Sequence, residues 1–401
     1  MTKNSALHVV YVSMHTSPIA SPGSADAGGM NVVELNSALA LGRAGHRVDL
    51  ITRRDGPVAP VTELAENVRL FALPAGPPEP VAKSQQECFL EPFAAEFKNW
   101  IANHPGVDIV HSHHWFSGVA ALETTHDAGI PHLQSFHSVA APATATDLSA
   151  GEPAESSGRI AGEQHVARLS EIVVAVSEAE KQTILDRYSP AKERIKVVRP
   201  GVDTRLFRPL EADEEHWSKD CYLLFAARLQ PLKGPDLAIE TLAALDQENM
   251  HLVIAGAASA DFAGYVAELH TLVDQLGLSE RVNYQGSLTR TELARMIRAA
   301  CVLVNPSYSE TFGLINLEAA ASGVPVVATK AGGIVESVQD GVTGLLIDNR
   351  NPQSWAQAIK RLTGANSQRA QFAKAARKFA LTRTWDTVAS ELTSTYMSAL
   401  G

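Results

Sequence analysis

The sequence predicts an α/β protein made of two doubly wound, Rossmann-like domains that face each other across a central cleft. Short apolar runs alternate with helical patterns in two separate series, which is typical of parallel sheets covered by helices. With 401 residues the chain is too long for one ordinary core, so two domains are expected. The charged and irregular residues 202–217 separate the two series and are interpreted as the linker. In such a fold, ligands bind at the carboxyl ends of the strands.

The first series opens with a βαβ unit. HVVYVS (8–13) is a buried type of strand, and after a long loop Gly28 and Gly29 start a helix that Gly45 ends. The Ala-, Ser-, Pro- and Gly-rich residues 138–158 are predicted to form a mobile loop. The other strands of this series are predicted at 47–52, 68–73, 107–111, 131–137, 172–177 and 195–201.

The second series repeats this architecture. Its strands are predicted at 221–227, 251–257, 281–287, 301–306, 324–329 and 343–348, and helices continue to the end of the chain. The domains are therefore placed at residues 1–205 and 206–382. The last helix, 383–401, is expected to pack back on the first domain.

Composition restricts the class of protein. The formal charge of −10 and the pI near 5.8 argue against a nucleic-acid partner. The chain has no run of eighteen apolar residues and its first residues lack the apolar region of a signal peptide, so a cytoplasmic protein without a membrane span is expected. The widely spaced Cys88, Cys221 and Cys301 are expected to be reduced core residues.

Residues 305–323, NPSYSETFGLINLEAAASG, carry the clearest functional pattern: a strand end, a short polar loop and a helix. Glu310 lies in the loop and Glu318 about one and a half turns past Gly313, so both carboxylates can face one cleft. The backbone N–H groups of residues 311–314 lie where a helix N-terminus attracts phosphate. Carboxylates accept hydrogen bonds from sugar hydroxyls, and free amides suit a diphosphate. The stretch therefore offers what a nucleotide sugar requires.

Four cations are candidate anion ligands. Arg228 and Lys233 bracket a strand–loop–helix turn in ARLQPLKG, where an arginine fork and a lysine point charge suit a diphosphate. Lys83 and Arg159 belong to the first half and could serve a second anion. Any one of the four, taken alone, is more often an ordinary surface charge.

Two other patterns are weaker. No G-x-G-x-x-G follows the first strand, which argues against a dinucleotide site. HSHHW (111–115) ends a strand, but His111 and His113 are expected on opposite faces of it, and no carboxylate or cysteine stands at ligand spacing. No metal site is predicted there. His137 also ends a strand, where a single histidine is more often structural than functional.

Six motifs together resemble the retaining glycosyltransferases of family 4, which have the GT-B fold. In chain order they are YVSMHTSP, DAGGMNV, HSHHWFSG, ARLQPLKG, SETFGLINLEA and ASGVPVVATKAGG, and they span nearly the whole sequence. The most similar subgroup is the D-inositol-3-phosphate glycosyltransferases of mycothiol biosynthesis, which transfer N-acetylglucosamine from its UDP donor to an inositol phosphate. Sucrose-phosphate synthases share part of the pattern.

The resemblance implies a donor site built mainly from the second half. The residues that would contact the donor diphosphate are Arg228, Lys233, Gly29, Gly313 and Leu314. Glu318 would bind the ribose hydroxyls, and Glu310 the hydroxyls of the donor sugar. His137 would lie beside the reacting carbon. The group with a direct part in catalysis would be His137, Glu310, Arg228 and Lys233.

The resemblance also implies an acceptor site in the first half. The residues that would line it are His15, Asp26, Asn31, Lys83, His114, Ser138 and Arg159. Of these, Lys83 and Arg159 would meet the acceptor phosphate. The chain has His114 where the subgroup has tyrosine and Ser138 where it has threonine, and a lysine expected in VAAPATAT is missing. These departures leave open another phosphorylated acceptor.

The implied activity is transfer of a sugar from a UDP-sugar to a small phosphorylated polyol, with retention at the anomeric carbon. No cofactor is expected, although a loosely bound Mg²⁺ stays open, and a homodimer through the first half would be usual for the family. The alternatives are a sucrose-phosphate-synthase-like transferase, a phosphatidylinositol-mannosyltransferase-like enzyme, a nucleotide-sugar epimerase or hydrolase, and a module that only binds its ligand.

Overall fold

The protein is built around two sheets, one in each half of the chain. The computed structural model describes residues 6–23, 27–211, 214, 221–258, 260–364 and 366–401. Consecutive residues of a central strand enter different apolar clusters, because side chains alternate between the two faces of a strand. In the strand 8–13, for example, Val10 and Val12 belong to one cluster and Val9 and Tyr11 to another. Both faces are therefore covered. The predicted α/β class with two doubly wound domains is confirmed.

The first sheet has eight strands: β1 (His8–Ser13), β2 (Arg47–Arg53), β3 (Val61–Ala65), β4 (Val68–Leu73), β5 (Ile109–His113), β6 (His132–Ser135), β7 (Ile172–Ala175) and β8 (Ile195–Val197). Their order is β3-β4-β2-β1-β5-β6-β7-β8, and only the pair β3–β4 is antiparallel. The sequence did not predict β3, because this edge strand alternates between exposed and half-buried residues and has no apolar run.

The second sheet has six strands: β9 (Tyr222–Ala226), β10 (His251–Ala255), β11 (Val282–Gly286), β12 (Val302–Asn305), β13 (Val326–Thr329) and β14 (Gly344–Ile347). Their order is β11-β10-β9-β12-β13-β14, and all pairs are parallel. Each was predicted to within two residues at either end. Most of these strands are short and largely buried, so their apolar runs are a clear signal, whereas β11 is half-exposed.

Five helices precede the second sheet: α1 (Gly29–Arg43), α2 (Leu90–Asn103), α3 (His114–Asp127), α4 (Arg159–Leu169) and α5 (Glu178–Tyr188). Eight follow its first strand: α6 (Pro235–Ala244), α7 (Ala263–Gln275), α8 (Arg290–Ala299), α9 (Leu314–Ala321), α10 (Ile334–Ser337), α11 (Pro352–Thr363), α12 (Asn366–Ala380) and α13 (Trp385–Ala399). None of the helices in the described ranges has both the length and the apolar character that crossing a bilayer requires.

The last helix, α13, packs against the first domain. Leu392 and Tyr396 are buried in the apolar cluster that covers one face of the first sheet. The hydroxyl of Tyr396 lies 3.1 Å from that of Tyr11 and 3.0 Å from Nδ1 of His111. Helix α13 therefore completes a core to which β1 also belongs.

The two domains contact each other beside the cleft. Glu336 of α10 accepts a hydrogen bond from Nε of Arg199 at 2.7 Å and one from the backbone N–H of Ala179 at 3.2 Å. Ala179 lies in the first turn of α5, so a carboxylate of the second domain caps a helix of the first. Ser287 also donates to the carbonyl of Gly23 at 2.7 Å.

The expectation of three reduced, buried cysteines is wrong. Cys221 and Cys301 form a disulfide whose Cα atoms are 5.5 Å apart, and Cys88 is free and exposed. The two paired cysteines immediately precede β9 and β12, which are neighbours in the second sheet. Corresponding positions of adjacent parallel strands lie about 5 Å apart, within the range that a disulfide spans. Sequence separation concealed this proximity.

We predict that Leu392→Ala lowers the free energy of unfolding by about 2–5 kcal/mol, because it leaves a cavity in the core that α13 closes. Met397→Ala on the same helix, where the side chain is exposed, is the matched control and should stay within about 0.5 kcal/mol of the wild type. Urea titrations followed by circular dichroism measure both. Equal effects of the two substitutions would contradict the packing of α13 on the first domain.

Candidate active site

A cleft lies between the domains, at the carboxyl ends of the strands of both sheets. It has one chamber of about 180 Å³ on the side of the first domain and continues into a second chamber of about 190 Å³ against the second domain. The residues that line both chambers are Gly28, Gly29, Arg228, Lys233, Glu310, Gly313 and Leu314. All but Gly28 were predicted as donor-site residues. The structure therefore brings the predicted donor residues to one place.

The turn after β9 supplies two of the predicted cations. Lys233 ends a single-turn helix, and Gly234 follows it at φ +66°, a conformation that favours glycine. A Cβ on Gly234 would lie 2.4 Å from the carbonyl oxygen of Pro306, so the turn is pressed against the end of β12. This close approach brings Nζ of Lys233 to 2.8 Å from Oε1 of Glu310. The two predicted residues form a partly buried ion pair.

Two helix N-termini from different domains meet in the cleft. Gly313 precedes α9 at φ +84°, and a Cβ there would lie 2.7 Å from Nδ2 of Asn316. Across the cleft, a Cβ on Gly29, the first residue of α1, would lie 3.4 Å from Cδ1 of Leu314. Arg228 is adjacent, since a Cβ on Gly28 would lie 3.8 Å from its Nε. Backbone amides and a guanidinium thus converge where an anion is favoured.

Glu318 faces the second chamber from α9 and is almost completely buried. Its carboxylate accepts a hydrogen bond from the guanidinium of Arg290, the first residue of α8. Arg290 was not predicted from the sequence. A signal was present, because TRTE (289–292) is a capping box that marks a helix start directly after β11.

His137 lines the first chamber and joins the domains. Its Nε2 lies 2.8 Å from Nδ1 of His113, and its carbonyl accepts a hydrogen bond from Oγ1 of Thr311 at 2.9 Å. Its φ of +60° is unusual for a residue other than glycine and is typical of functional sites under strain. Burial lowers the pKa of His137 to about 3, so the ring is neutral at physiological pH.

The expected placement of His111 and His113 on opposite faces is wrong. Residues two apart on a strand share a face, and the two rings stack with centroids 4.4 Å apart. His113 also stacks on His137 at 5.1 Å. The three histidines form a column that runs from the core of the first domain to the cleft. No group of three potential metal ligands occurs within the described ranges.

Of the predicted acceptor residues, His15 and His114 line the first chamber with their rings in contact, tilted by 40° and with centroids 4.2 Å apart. Burial, reinforced by the positive charges of Lys83 and Arg159, holds the pKa of both rings well below the usual value. Nδ1 of His15 and both ring nitrogens of His114 have no hydrogen-bond partner among the described residues. His114 has φ +68°, so strain is concentrated here as at His137.

Asn31 also lines this chamber, but its side chain builds the loop around it. It accepts from the N–H of Gly28 at 2.9 Å and donates to Thr16 Oγ1 at 3.1 Å and to the carbonyl of Ser17 at 2.8 Å. Its hydrogen bonds therefore fix the entry to α1. Asp26, the other predicted acceptor residue of this region, lies outside the described residues.

The remaining acceptor candidates meet three carboxylates that the sequence analysis did not single out. Arg159 is fully buried and donates to Ser138 Oγ at 2.9 Å. Around it and Lys83 stand Glu152, Glu155 and Glu163, which we call the acidic cluster. Glu152 and Glu155 belong to the segment predicted as a mobile loop, but ion pairs with Lys83 and Arg159 connect that segment to the domain, and a backbone bridge between Ala140 and Glu152 joins its two sides.

Two family models match the chain. "Glycosyltransferase Family 4" matches residues 27–206, and "Glycosyl transferases group 1" matches residues 208–379. The matches meet between the two sheets, so each covers one domain and its side of the cleft. With the facing doubly wound domains and the cleft at their strand ends, they define a glycosyltransferase of the GT-B fold.

Individual relatives make the assignment more specific. The D-inositol 3-phosphate glycosyltransferase of Stackebrandtia nassauensis is 35% identical over 99% of this chain and 93% of its own length. That of Mycobacterium marinum is 36% identical over 98% of this chain and 86% of its own length. The chain therefore belongs to glycosyltransferase family 4.

Solved structures agree on the fold. Sucrose-phosphate synthase from Thermosynechococcus elongatus is similar with a TM-score of 0.88 and 25% identity, over 98% of both chains. HepE from Anabaena, in complex with UDP and glucose, is similar with a TM-score of 0.79 and 21% identity, over 98% of this chain and 100% of its own. The second likeness bears on the fold alone.

We predict that the protein loses stability in mild acid. His132 is buried with its pKa lowered to about 3, whereas in the unfolded chain it has the usual value of about 6.5. The unfolded state therefore binds more protons between pH 6.5 and 3, so the free energy of unfolding falls as the pH falls through this window. His132 alone accounts for about 1.4 kcal/mol between pH 7.5 and 5.5.

Urea titrations at pH 7.5 and 5.5 test this pH dependence. His132→Gln should reduce the difference between the two pH values by about 1.4 kcal/mol, and His165→Gln, at an exposed position of α4, should leave it unchanged. An equal difference between the two pH values in the His132 variant and in the wild type would show that the buried histidine is not held neutral.

Proposed function

We propose that the enzyme transfers a sugar, N-acetylglucosamine, from a UDP-sugar to a hydroxyl of a small phosphorylated polyol such as 1D-myo-inositol 3-phosphate, with retention of the anomeric configuration. The observation that carries the proposal is the convergence of Arg228, Lys233 and two helix N-termini at the junction of the chambers. The names of the relatives support the acceptor and the transfer of a glycosyl group. The resemblance of the sequence motifs to the D-inositol-3-phosphate glycosyltransferases supports UDP as the nucleotide.

In this proposal the donor extends across the junction. Arg228 and Lys233 hold its diphosphate together with the amides of Gly29, Gly313 and Leu314. Glu318, in the second chamber, accepts hydrogen bonds from the ribose hydroxyls, and Glu310 accepts them from the sugar. The ion pairs Lys233–Glu310 and Arg290–Glu318 hold these side chains ready and exchange partners when the donor enters.

The acceptor occupies the first chamber. Its phosphate lies beside Lys83 and Arg159, with Ser138 and His114 on the same side, and its polyol ring lies against His15 and the entry to α1. Because His137 is neutral, it contributes hydrogen bonds at the reacting centre and no positive charge. Its contact with His113 leaves Nδ1 as the nitrogen that can meet the donor sugar.

The proposed chemistry is a substitution on one face of the sugar. The acceptor hydroxyl oxygen bonds to the anomeric carbon as the bond from that carbon to the diphosphate breaks, and the departing diphosphate takes the hydroxyl proton. Arg228, Lys233 and the helix N-termini stabilise the charge on the leaving group. These cations do what a bound metal would do, so we propose a transfer without a resident cofactor, to which Mg²⁺ binds loosely if at all.

Release of UDP from UDP-N-acetylglucosamine, with and without 1D-myo-inositol 3-phosphate, tests the proposal. Release only with acceptor is the expected result. Release without acceptor would favour a hydrolase or an epimerase. Activity with fructose 6-phosphate instead would favour the sucrose-phosphate-synthase-like alternative, for which the similarity in fold is high. Activity only with phosphatidylinositol would favour the mannosyltransferase-like one.

We expect Arg228→Ala to lower kcat/KM by about 100-fold or more, because it removes a charged donor to the departing diphosphate. Calorimetric titration with UDP should show weaker binding in the same variant. Arg295→Ala, on the exposed face of α8, is the control and should leave both quantities unchanged. Full turnover by the Arg228 variant would exclude its role at the diphosphate.

A further inference from the structure

The members of the acidic cluster are held in different ways. Glu163 is completely buried, accepts from Nε of Arg159 at 2.7 Å and also accepts the backbone N–H of Ala140 at 3.0 Å. Glu155 accepts from Nε1 of Trp115 at 2.7 Å and from the guanidinium of Arg159. Both carboxylates are thus hydrogen-bonded parts of the domain. They fix the position of Arg159.

Glu152 is held by charge alone. Its carboxylate lies 3.8 Å from Nζ of Lys83 and 3.6 Å from a guanidinium nitrogen of Arg159, distances of ion pairs and not of hydrogen bonds. It is the member of the cluster that lines the cleft, and its side chain is the most exposed of the three, at 22% against 10% for Glu155 and 0% for Glu163. Rotation of its side chain can remove it from Lys83 without moving the backbone.

The place that Glu152 occupies favours an anion. Burial opposes the charge on this carboxylate, but Lys83, Arg159, Arg228 and Lys233 together hold its pKa well below the usual value. The first two of these are the cations proposed for the acceptor phosphate, and the other two are those proposed for the donor diphosphate. An acceptor phosphate next to Lys83 would stand against the Glu152 carboxylate, and like charges at that distance repel each other.

We propose that Glu152 is an exchangeable counter-ion of the acceptor site: its carboxylate occupies the anion position beside Lys83 until the phosphate of the acceptor displaces it. This inference rests on the proposed function, in that it takes Lys83 and Arg159 as the acceptor's anion ligands. Glu155 and Glu163 stay in place and keep Arg159 oriented during the exchange. Glu152 thereby lowers the affinity for phosphorylated acceptors and keeps the cations paired while the site is empty.

The variant Glu152→Gln tests the exchange, because glutamine has the same size and removes only the competing charge. Steady-state UDP release should give a KM for 1D-myo-inositol 3-phosphate that is about three- to tenfold lower than in the wild type, with kcat unchanged. Unphosphorylated myo-inositol is the comparison acceptor and should show no such gain. Glu193→Gln, at an exposed position before β8, is the matched control.

A second measurement separates this inference from the identity of the acceptor. Calorimetric titration of inorganic phosphate into the UDP-saturated protein should show about three- to tenfold tighter binding in the Glu152 variant than in the wild type. If that gain appears while neither inositol compound is glycosylated, the counter-ion role stands and the proposed acceptor is wrong. Unchanged or weaker phosphate binding overturns the inference, as does a higher KM for the phosphorylated acceptor in that variant.

Discussion

The cations and carboxylates that surround the cleft form ion pairs with one another. Lys233 pairs with Glu310, Arg290 with Glu318, and Arg159 is enclosed by the acidic cluster. A partly buried charge without a partner is costly, so a cleft lined with charged groups can exist empty only if these groups compensate one another. The substrates then bind by exchanging partners within pairs that already exist. The same pairing keeps the side chains in the orientations that the ligands require.

The fold explains why these pairs form where they do. Parallel strands place all of their carboxyl ends at one edge of each sheet, and the two sheets turn these edges toward each other. Side chains that follow β9 and β12 therefore meet in the second domain, and they face the N-terminus of α1 from the first. The contact of Glu336 with Arg199 and the N-terminus of α5 holds the domains together beside the cleft. A site divided between two domains can close on its substrates and exclude water.

The sequence predicted the strands well because buried parallel strands are continuous apolar runs, and it predicted residues that meet in the cleft because several of them follow such strands closely. It missed β3, whose half-exposed residues lack that signal. It also missed Arg290, the disulfide between Cys221 and Cys301, and the acidic cluster. The disulfide and the contact of Glu152 with Lys83 depend on partners distant in the chain, and no local pattern reports which distant side chains meet. Local signals did exist for the others: the capping box around Arg290, and the i,i+4 spacing of Arg159 from Glu155 and Glu163. The misplacement of His111 and His113 had another cause: residues two apart on a strand were assigned to opposite faces.

The central claim is that internal ion pairs are exchanged for substrate contacts. A crystal structure of the complex with UDP tests this claim most directly. The predicted result is a diphosphate at the junction of the chambers, within hydrogen-bond distance of Arg228, Lys233 and the amide of Gly313. Nζ of Lys233 should also have left the 2.8 Å contact that it makes with Glu310. A diphosphate bound elsewhere while the Lys233–Glu310 pair stays intact would contradict the account.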